Sequence, residues 1–239
     1  MPTVAELSAP YGNFMLGPRS GPDVCSACFN LTDGYGRCYA CAHGGRWLDA
    51  MAPISYSVSG EQLHHALASY KRLSGPGARH FALGLAAVLW RHLAGHERCL
   101  AAAVGTDAFA LVTTVPSSQR ERAETHPLHL LVADLVRPAR ERYARVLERS
   151  DVPVDPHRFS AEKYSCRGDL AGRSVLLIDD TWTTGANAQS AAAALKAAGA
   201  SRVGALVIGR FVNRGWRHND RHLRTLAQPF DWNRCALCP

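Results

Sequence analysis

The chain has 239 residues, 47% of them hydrophobic and 20% charged, with a formal net charge of +7. That balance excludes the disordered class and fits a soluble globular protein with one good core and an appendage. The N-terminus lacks a basic segment leading into an apolar one, and the longest apolar stretch, Phe81 to Trp90, is bounded by His80 and Arg91. Neither a signal peptide nor a membrane-spanning helix is expected, and the cytoplasm is the expected location.

Residues 1–24 are rich in Pro, Gly and Ser and read as a flexible leader. Residues 25–50 hold two knuckles, Cys25-Ser-Ala-Cys28 and Cys38-Tyr-Ala-Cys41, with the turn Asp33-Gly34-Tyr35-Gly36 between them. Paired knuckles deliver four soft ligands to a tetrahedral ion from a short chain that has no core of its own, so Cys25, Cys28, Cys38 and Cys41 are expected to hold a structural Zn²⁺. A closed site of this kind has no open position for a substrate. His43 is a fallback ligand. A third pair, Cys235-Ala-Leu-Cys238, exceeds the needs of one tetrahedral site: it could replace a knuckle, form a redox pair or remain as free thiols. Cys99 and Cys166 are unpaired in sequence and read as buried or incidental thiols.

Residues 51–215 carry the main domain. Gln62 to Lys71 and Phe81 to Leu93 have helical periodicity, with the breaker Ser74-Gly75-Pro76-Gly77 between them. Phe109 to Val115 reads as a buried strand ended by Pro116, and Pro127 to Arg149 as one or two helices. The polar connection Asp151 to Arg173 is long enough to act as a lid. Val175 to Asp180 is a second strand, Ala188 to Ala198 its helix, and Val203 to Arg210 a third strand. This alternation predicts an α/β fold with a parallel sheet and ligands beyond the carboxyl ends of its strands.

The most informative segment is Val175 to Asn187, VLLIDDTWTTGAN. Asp179 and Asp180 end an apolar strand, where carboxylates can accept hydrogen bonds from vicinal hydroxyls or reach a hydrated Mg²⁺. Thr183, Thr184, Gly185, Ala186 and Asn187 then supply hydroxyls and backbone N–H groups at a helix start, which favours phosphate. The order suits ribose 5-phosphate better than a triphosphate chain, and there is no Gly-x4-Gly-Lys-Ser/Thr loop. The loop after the first strand, with Ser117, Ser118 and Arg120, exits at the same sheet edge and suits pyrophosphate; Lys71 and Lys163 could reach it from a helix end and the connection. Residues 216–239 form a basic tail with the last CxxC. The arginines between Arg202 and Arg234 could meet DNA or an acidic protein partner, although a solvated surface is the simpler reading. His92 with His96, and His218 with His222, read as ordinary surface or partly packed pairs.

The strand with Asp179-Asp180 and the Thr183-Thr184-Gly185 turn resembles the 5-phosphoribosyl 1-pyrophosphate (PRPP) signature of type I phosphoribosyltransferases. Together with the knuckles and the segment VTTVPSSQRER, it is similar to the ComF / GntX amidophosphoribosyltransferase-like family, from about Cys25 to Val212. The chain departs from that pattern in a bulky Trp182, in Asn187 where a hydroxyl residue is usual, and in the run Arg120-Glu-Arg-Ala-Glu after the first strand. The resemblance implies a type I phosphoribosyltransferase core with a small zinc module. It further implies a phosphoribosyl transfer from PRPP and Mg²⁺ to a nitrogen acceptor. In that transfer Asp179 and Asp180 would be catalytic anchors, and Thr181 with the residues of the following turn would bind PRPP. The alternative is a non-catalytic PRPP-binding accessory module in DNA uptake or handling. Nothing in the sequence identifies the acceptor or the oligomeric state.

Overall fold

The computed structural model describes residues 2–72, 75–117, 126–155, 157–226 and 229–238. Helix α1 (Val4–Gly12) precedes the knuckle segment, whose one helix is α2 (Tyr39–His43). Strand β1 (Ala50–Val58) leads to helices α3 (Gln62–Arg72) and α4 (Gly75–Val104), then β2 (Leu111–Thr114). The short helices α5 (Pro127–Leu130) and α6 (Arg137–Arg140) flank a π turn at Leu131–Leu135. Strands β3 (Leu147–Arg149) and β4 (Tyr164–Cys166) follow, then β5 (Ser174–Trp182), α7 (Ala186–Ala197), β6 (Arg202–Val212) and α8 (Asn219–Leu226).

The fold is mixed α/β. Four strands form a parallel sheet in the order β1-β6-β5-β2, and β3 and β4 pair separately in antiparallel. The apolar run of β5 explains its central place, because a parallel strand covered by helices is buried on both faces. Side chains alternate across it. Leu176 and Ile178 join a core with Leu63, Leu85 and Leu89 of α3 and α4. Val175 and Leu177 join the other core, with Ala188 and Ala191 of α7 and the knuckle residues Cys25, Cys28 and Phe29.

Several sequence expectations are corrected here. The leader is not loose: Thr3 and Glu6 form a reciprocal capping box, and α1 packs on α4 with Tyr11 buried. Two helices do lie on either side of this point, α3 ending at Arg72 and α4 beginning at Gly75, but Gly75-Pro76-Gly77 belongs to the second helix and opens it, since a first-turn residue has no intrahelical N–H bond for proline to remove. Strand β1 has no counterpart among the sequence expectations, because Pro53, Ser55 and Ser57 break its apolar run. It lies at the sheet edge, where proline is tolerated. The connection expected to serve as a lid is anchored: it contributes β4 to the β3–β4 pair, packs against α7, and its Ser160 N–H donates to Ser190 Oγ at 3.0 Å. Among the described residues, no helix is long and apolar enough to cross a membrane.

The α1–α4 contact depends on Gly84, where an added Cβ would lie 2.5 Å from the Tyr11 ring. Gly84→Val should displace Tyr11 and cost about 1–3 kcal/mol. We expect a lower thermal midpoint together with new protease cleavage inside α1; a variant as resistant as the wild type would show that α1 does not depend on this contact.

Candidate functional site

The carboxyl ends of β2, β5 and β6 meet the start of α7 around a cleft of about 800 Å³. One wall is continuous in sequence and runs from Asp179 through Asn187. It therefore brings Asp179, Asp180, Thr181, Thr183, Thr184, Gly185, Ala186 and Asn187 into one site. The opposite side holds His64 and Lys71 from α3, Ser117 after β2, His126, His157 and Phe211.

Strand alternation sends the two adjacent carboxylates to opposite faces. Asp180 turns toward α3, where Lys71 Nζ lies 2.6 and 2.7 Å from its two oxygens and the buried Tyr70 hydroxyl donates to Oδ2. Burial would raise the Asp180 carboxyl, but the Lys71 charge and the hydrogen bonds from Lys71 and Tyr70 outweigh it and hold this acid below the ordinary carboxylate range. Burial beside this charge has the opposite effect on Tyr70, raising its hydroxyl well above the usual value.

Asp179 turns toward the other face, and its Oδ1 accepts the Asp180 backbone N–H at 2.9 Å. Burial first, and then the neighbouring Asp180 charge, push its pKa up to about 8. One carboxylate is thus fixed as an anion with its own cation. The other, buried beside that charge, is shifted toward its protonated form.

The turn after β5 is shaped by Gly185. Its φ of +85° is left-handed, and a Cβ there would lie 2.2 Å from the Trp182 ring, so only glycine fits between the turn and that side chain. Trp182 is buried and packs beneath the turn in the core shared with the knuckles. Its bulk therefore supports the turn from below, and it also contributes to the lining of the cleft. Gly185 is the N-cap of α7 and makes no side-chain capping bond, which leaves first-turn amides that a side-chain cap would have consumed. Thr184 Oγ1 accepts from Ala186 N at 3.3 Å. Asn187 Oδ1 accepts from Lys163 Nζ at 3.2 Å.

The residues expected to meet pyrophosphate separate into three groups. Lys71 and Ser117 line the cleft. Lys163 is fully buried, its ammonium held by the Arg158 carbonyl and Asn187, so it braces the turn from behind and is not among the cleft-lining residues. Ser118 and Arg120 lie outside the described residues.

Two groups of side chains could hold a structural metal such as zinc. In the first, the ligand atoms of Cys25, Cys28, Cys38 and Cys41 all lie within 4.8 Å of one another, with Cys28 Sγ and Cys38 Sγ 3.6 Å apart. The donor set fits zinc, and the surroundings do as well. Arg210 is buried and donates to the Cys28 carbonyl at 3.0 Å, to Cys28 Sγ at 3.8 Å, and to the Trp182 and Phe211 carbonyls at 3.1 and 2.7 Å. Among the described residues it has no carboxylate partner, and a tetrathiolate zinc site of net charge about −2 would balance it. His43 is not part of the group; its Nδ1 lies 3.0 Å from the Tyr39 carbonyl oxygen. The second group unites His96, Cys99, Cys235 and Cys238. Cys99, which reads in sequence as a buried or incidental thiol, thus lies in a possible ligand group, and His96 is a packed histidine beside it.

The arginines of the C-terminal stretch mostly have partners. Arg202 pairs with Asp49, Arg214 with Glu61 and Asp220, Arg217 with Asp33 and Arg224 with Asp220. His218 and His222 also meet Asp33, at 3.1 and 3.2 Å. Sequence reasoning missed Tyr70 and Arg210, which sit in ordinary helix and strand patterns and gain their roles only through tertiary contact. No known protein-family model matches the chain, and no curated protein is significantly similar to it.

The raised Asp179 pKa fixes the sign of a pH effect. Between about pH 4 and about pH 8 the unfolded chain ionises this carboxyl while the folded chain keeps it protonated, so stability is lost as pH rises through that window. Asp179→Asn cannot ionise and should raise the thermal midpoint by several degrees at pH 8 and by little at pH 4. Equal gains at both values would rule out a strongly raised Asp179.

Proposed function

We propose that this protein binds PRPP with Mg²⁺ in the cleft and transfers its 5-phosphoribosyl group to a nitrogen acceptor, on a core of the type I phosphoribosyltransferase kind related to the ComF / GntX family. The observation that carries this reading is the continuous wall Asp179 to Asn187, in which a cleft-facing acid is followed by a glycine turn at a helix start. The turn suits the 5-phosphate, with Thr183 and Thr184 hydroxyls and α7 amides as donors. Asp179 suits the ribose hydroxyls. Asp180 acts through α3: it holds Lys71 at the cleft edge, where the ammonium can shift toward a departing diphosphate.

PRPP arrives as its magnesium complex, and the bound ion helps neutralise the leaving group. The protein's own part is to hold the ribose and the two phosphate groups apart while positive charge develops at the anomeric carbon. Ionisation of Asp179 near pH 8 gives binding a direction, because a cation or a pair of donor hydroxyls is met best by its anion. Affinity should therefore strengthen as pH rises from about 6 to about 8.

Calorimetry with PRPP and Mg²⁺ tests the site. Each hydrogen bond to a charged group is worth about 1.5–3 kcal/mol, so Thr183→Ala with Thr184→Ala should lower affinity about tenfold or more without changing zinc content or the thermal midpoint. Undiminished affinity in that variant would remove the phosphate assignment. Pyrophosphate release across a panel of bases and amines then separates a transferase from a non-catalytic PRPP-binding module: turnover supports the transferase, and binding without turnover supports the module. The arginine pairs near the C-terminus reduce the basic surface available to DNA, so salt-dependent DNA binding is the additional signature the module would need.

A further inference from the structure

We propose that His96, Cys99, Cys235 and Cys238 bind a second zinc ion, which ties the C-terminal segment to helix α4. His96 and Cys99 are three residues apart and so share one face of the helix. Cys235-Ala-Leu-Cys238 crosses that face as a third knuckle.

The spacing is that of a single tetrahedral ion. Zinc bonds of about 2.3 Å to sulfur and about 2.0–2.1 Å to nitrogen place two thiolates about 3.8 Å apart, and a thiolate and an imidazole nitrogen about 3.5 Å apart. Cys99 Sγ lies 3.8 Å from Cys238 Sγ, Cys235 Sγ lies 3.4 Å from Cys238 Sγ, and His96 Nδ1 lies 3.5 Å from Cys238 Sγ. These separations are far longer than a disulfide bond of about 2.05 Å. Three thiolates and an imidazole select zinc over the hard cations.

The surroundings supply what ligands of a closed site need. His96 Nε2 lies 2.9 Å from the Trp232 carbonyl oxygen, so it carries the proton and leaves Nδ1 with its lone pair toward the sulfurs. The Cys235 backbone N–H donates to Cys238 Sγ at 3.2 Å, and the Leu237 N–H to Cys235 Sγ at 3.4 Å, which stabilises thiolates. Binding would release the thiol protons to solvent.

The ion would also explain how this end of the chain stays in place. Residues 229–238 have no helix or strand, and Phe230, Trp232 and Leu237 are only partly buried against the core. Trp232 carries the Arg91 guanidinium 4.2 Å from its ring centre and meets Phe230 edge to face. Such a segment has too little apolar surface to order itself, and a metal cross-link supplies the constraint.

The test is metal analysis of the full chain purified under reducing conditions without chelator. The wild type should carry about two zinc ions, and a mercurial reagent should release both. The pair Cys235→Ser with Cys238→Ser should lower the content to about one and expose the C-terminal segment to protease, whereas Cys25→Ser with Cys28→Ser should lower it to about one and leave that segment protected. Should the first variant fail to fold, the wild-type titration decides alone. About one zinc per wild-type chain, iron in place of zinc, or a Cys235–Cys238 disulfide in the freshly purified protein would each overturn the proposal.

Discussion

The buried guanidinium of Arg210 joins the parts of this molecule that function would require to move together. Its donors reach Cys28 on the knuckle segment, the carbonyl that ends β5 and the carbonyl of Phe211 beside it. An unbalanced cation in that position would be costly, since burying a charge without a counter-charge loses far more than a few hydrogen bonds recover. A tetrathiolate centre on the knuckle segment would supply that counter-charge as well as a cross-link. In return, Arg210 fixes that segment against the strand ends from which the cleft is built. A metal centre with no open coordination position can in this way matter to a binding site that it does not touch.

The second constraint is the period of a β-strand. Two aspartates in sequence look equivalent, yet one residue of offset sends Asp180 to the face covered by α3 and Asp179 to the face covered by α7. The first meets Lys71 and Tyr70 and stays ionised. The second is buried beside that anion and is shifted toward its protonated form. Environment separates the protonation states of the pair, the pattern by which one site comes to hold both an acid and an anion. It also means that Asp180 cannot be removed without stranding a lysine, so its effects on binding and on stability are coupled.

The central strand, its helix and the turn between them were legible in the sequence, because a buried parallel strand is continuously apolar and the glycine after Thr184 marks the turn. The first cysteine group was legible from spacing alone. What could not be read was anything set by contacts distant in sequence. β1 hid behind Pro53 and two serines, since an edge strand tolerates what a central one does not. α1 hid in a Pro- and Gly-rich composition, and its Tyr11 finds room only because position 84 of a remote helix lacks a Cβ. The last CxxC lacked half its partners in sequence: His96 and Cys99 sit about 140 positions earlier, where their i, i+3 spacing on an apolar helix carries no signal of its own.

Both cysteine-rich segments attach to the sheet. The knuckles lie in the core beneath α7, whereas the C-terminal segment meets both cores, with Phe230 and Trp232 against the one beneath α3 and α4, Ala236 against the knuckle side and Leu237 touching both. A metal at each group would add a cross-link to the core contacts that Cys25, Cys28 and Phe29 already make, and that added support would depend on thiolate formation and on available metal. The parallel sheet carries none of that dependence. Conditions that strip metal should therefore loosen the Cys28–Arg210 support of the β5 end first, altering the cleft while much of the sheet remains folded. That ordering follows from where Arg210 sits, with its side chain shared between the metal-dependent segment and the strand ends that shape the cleft.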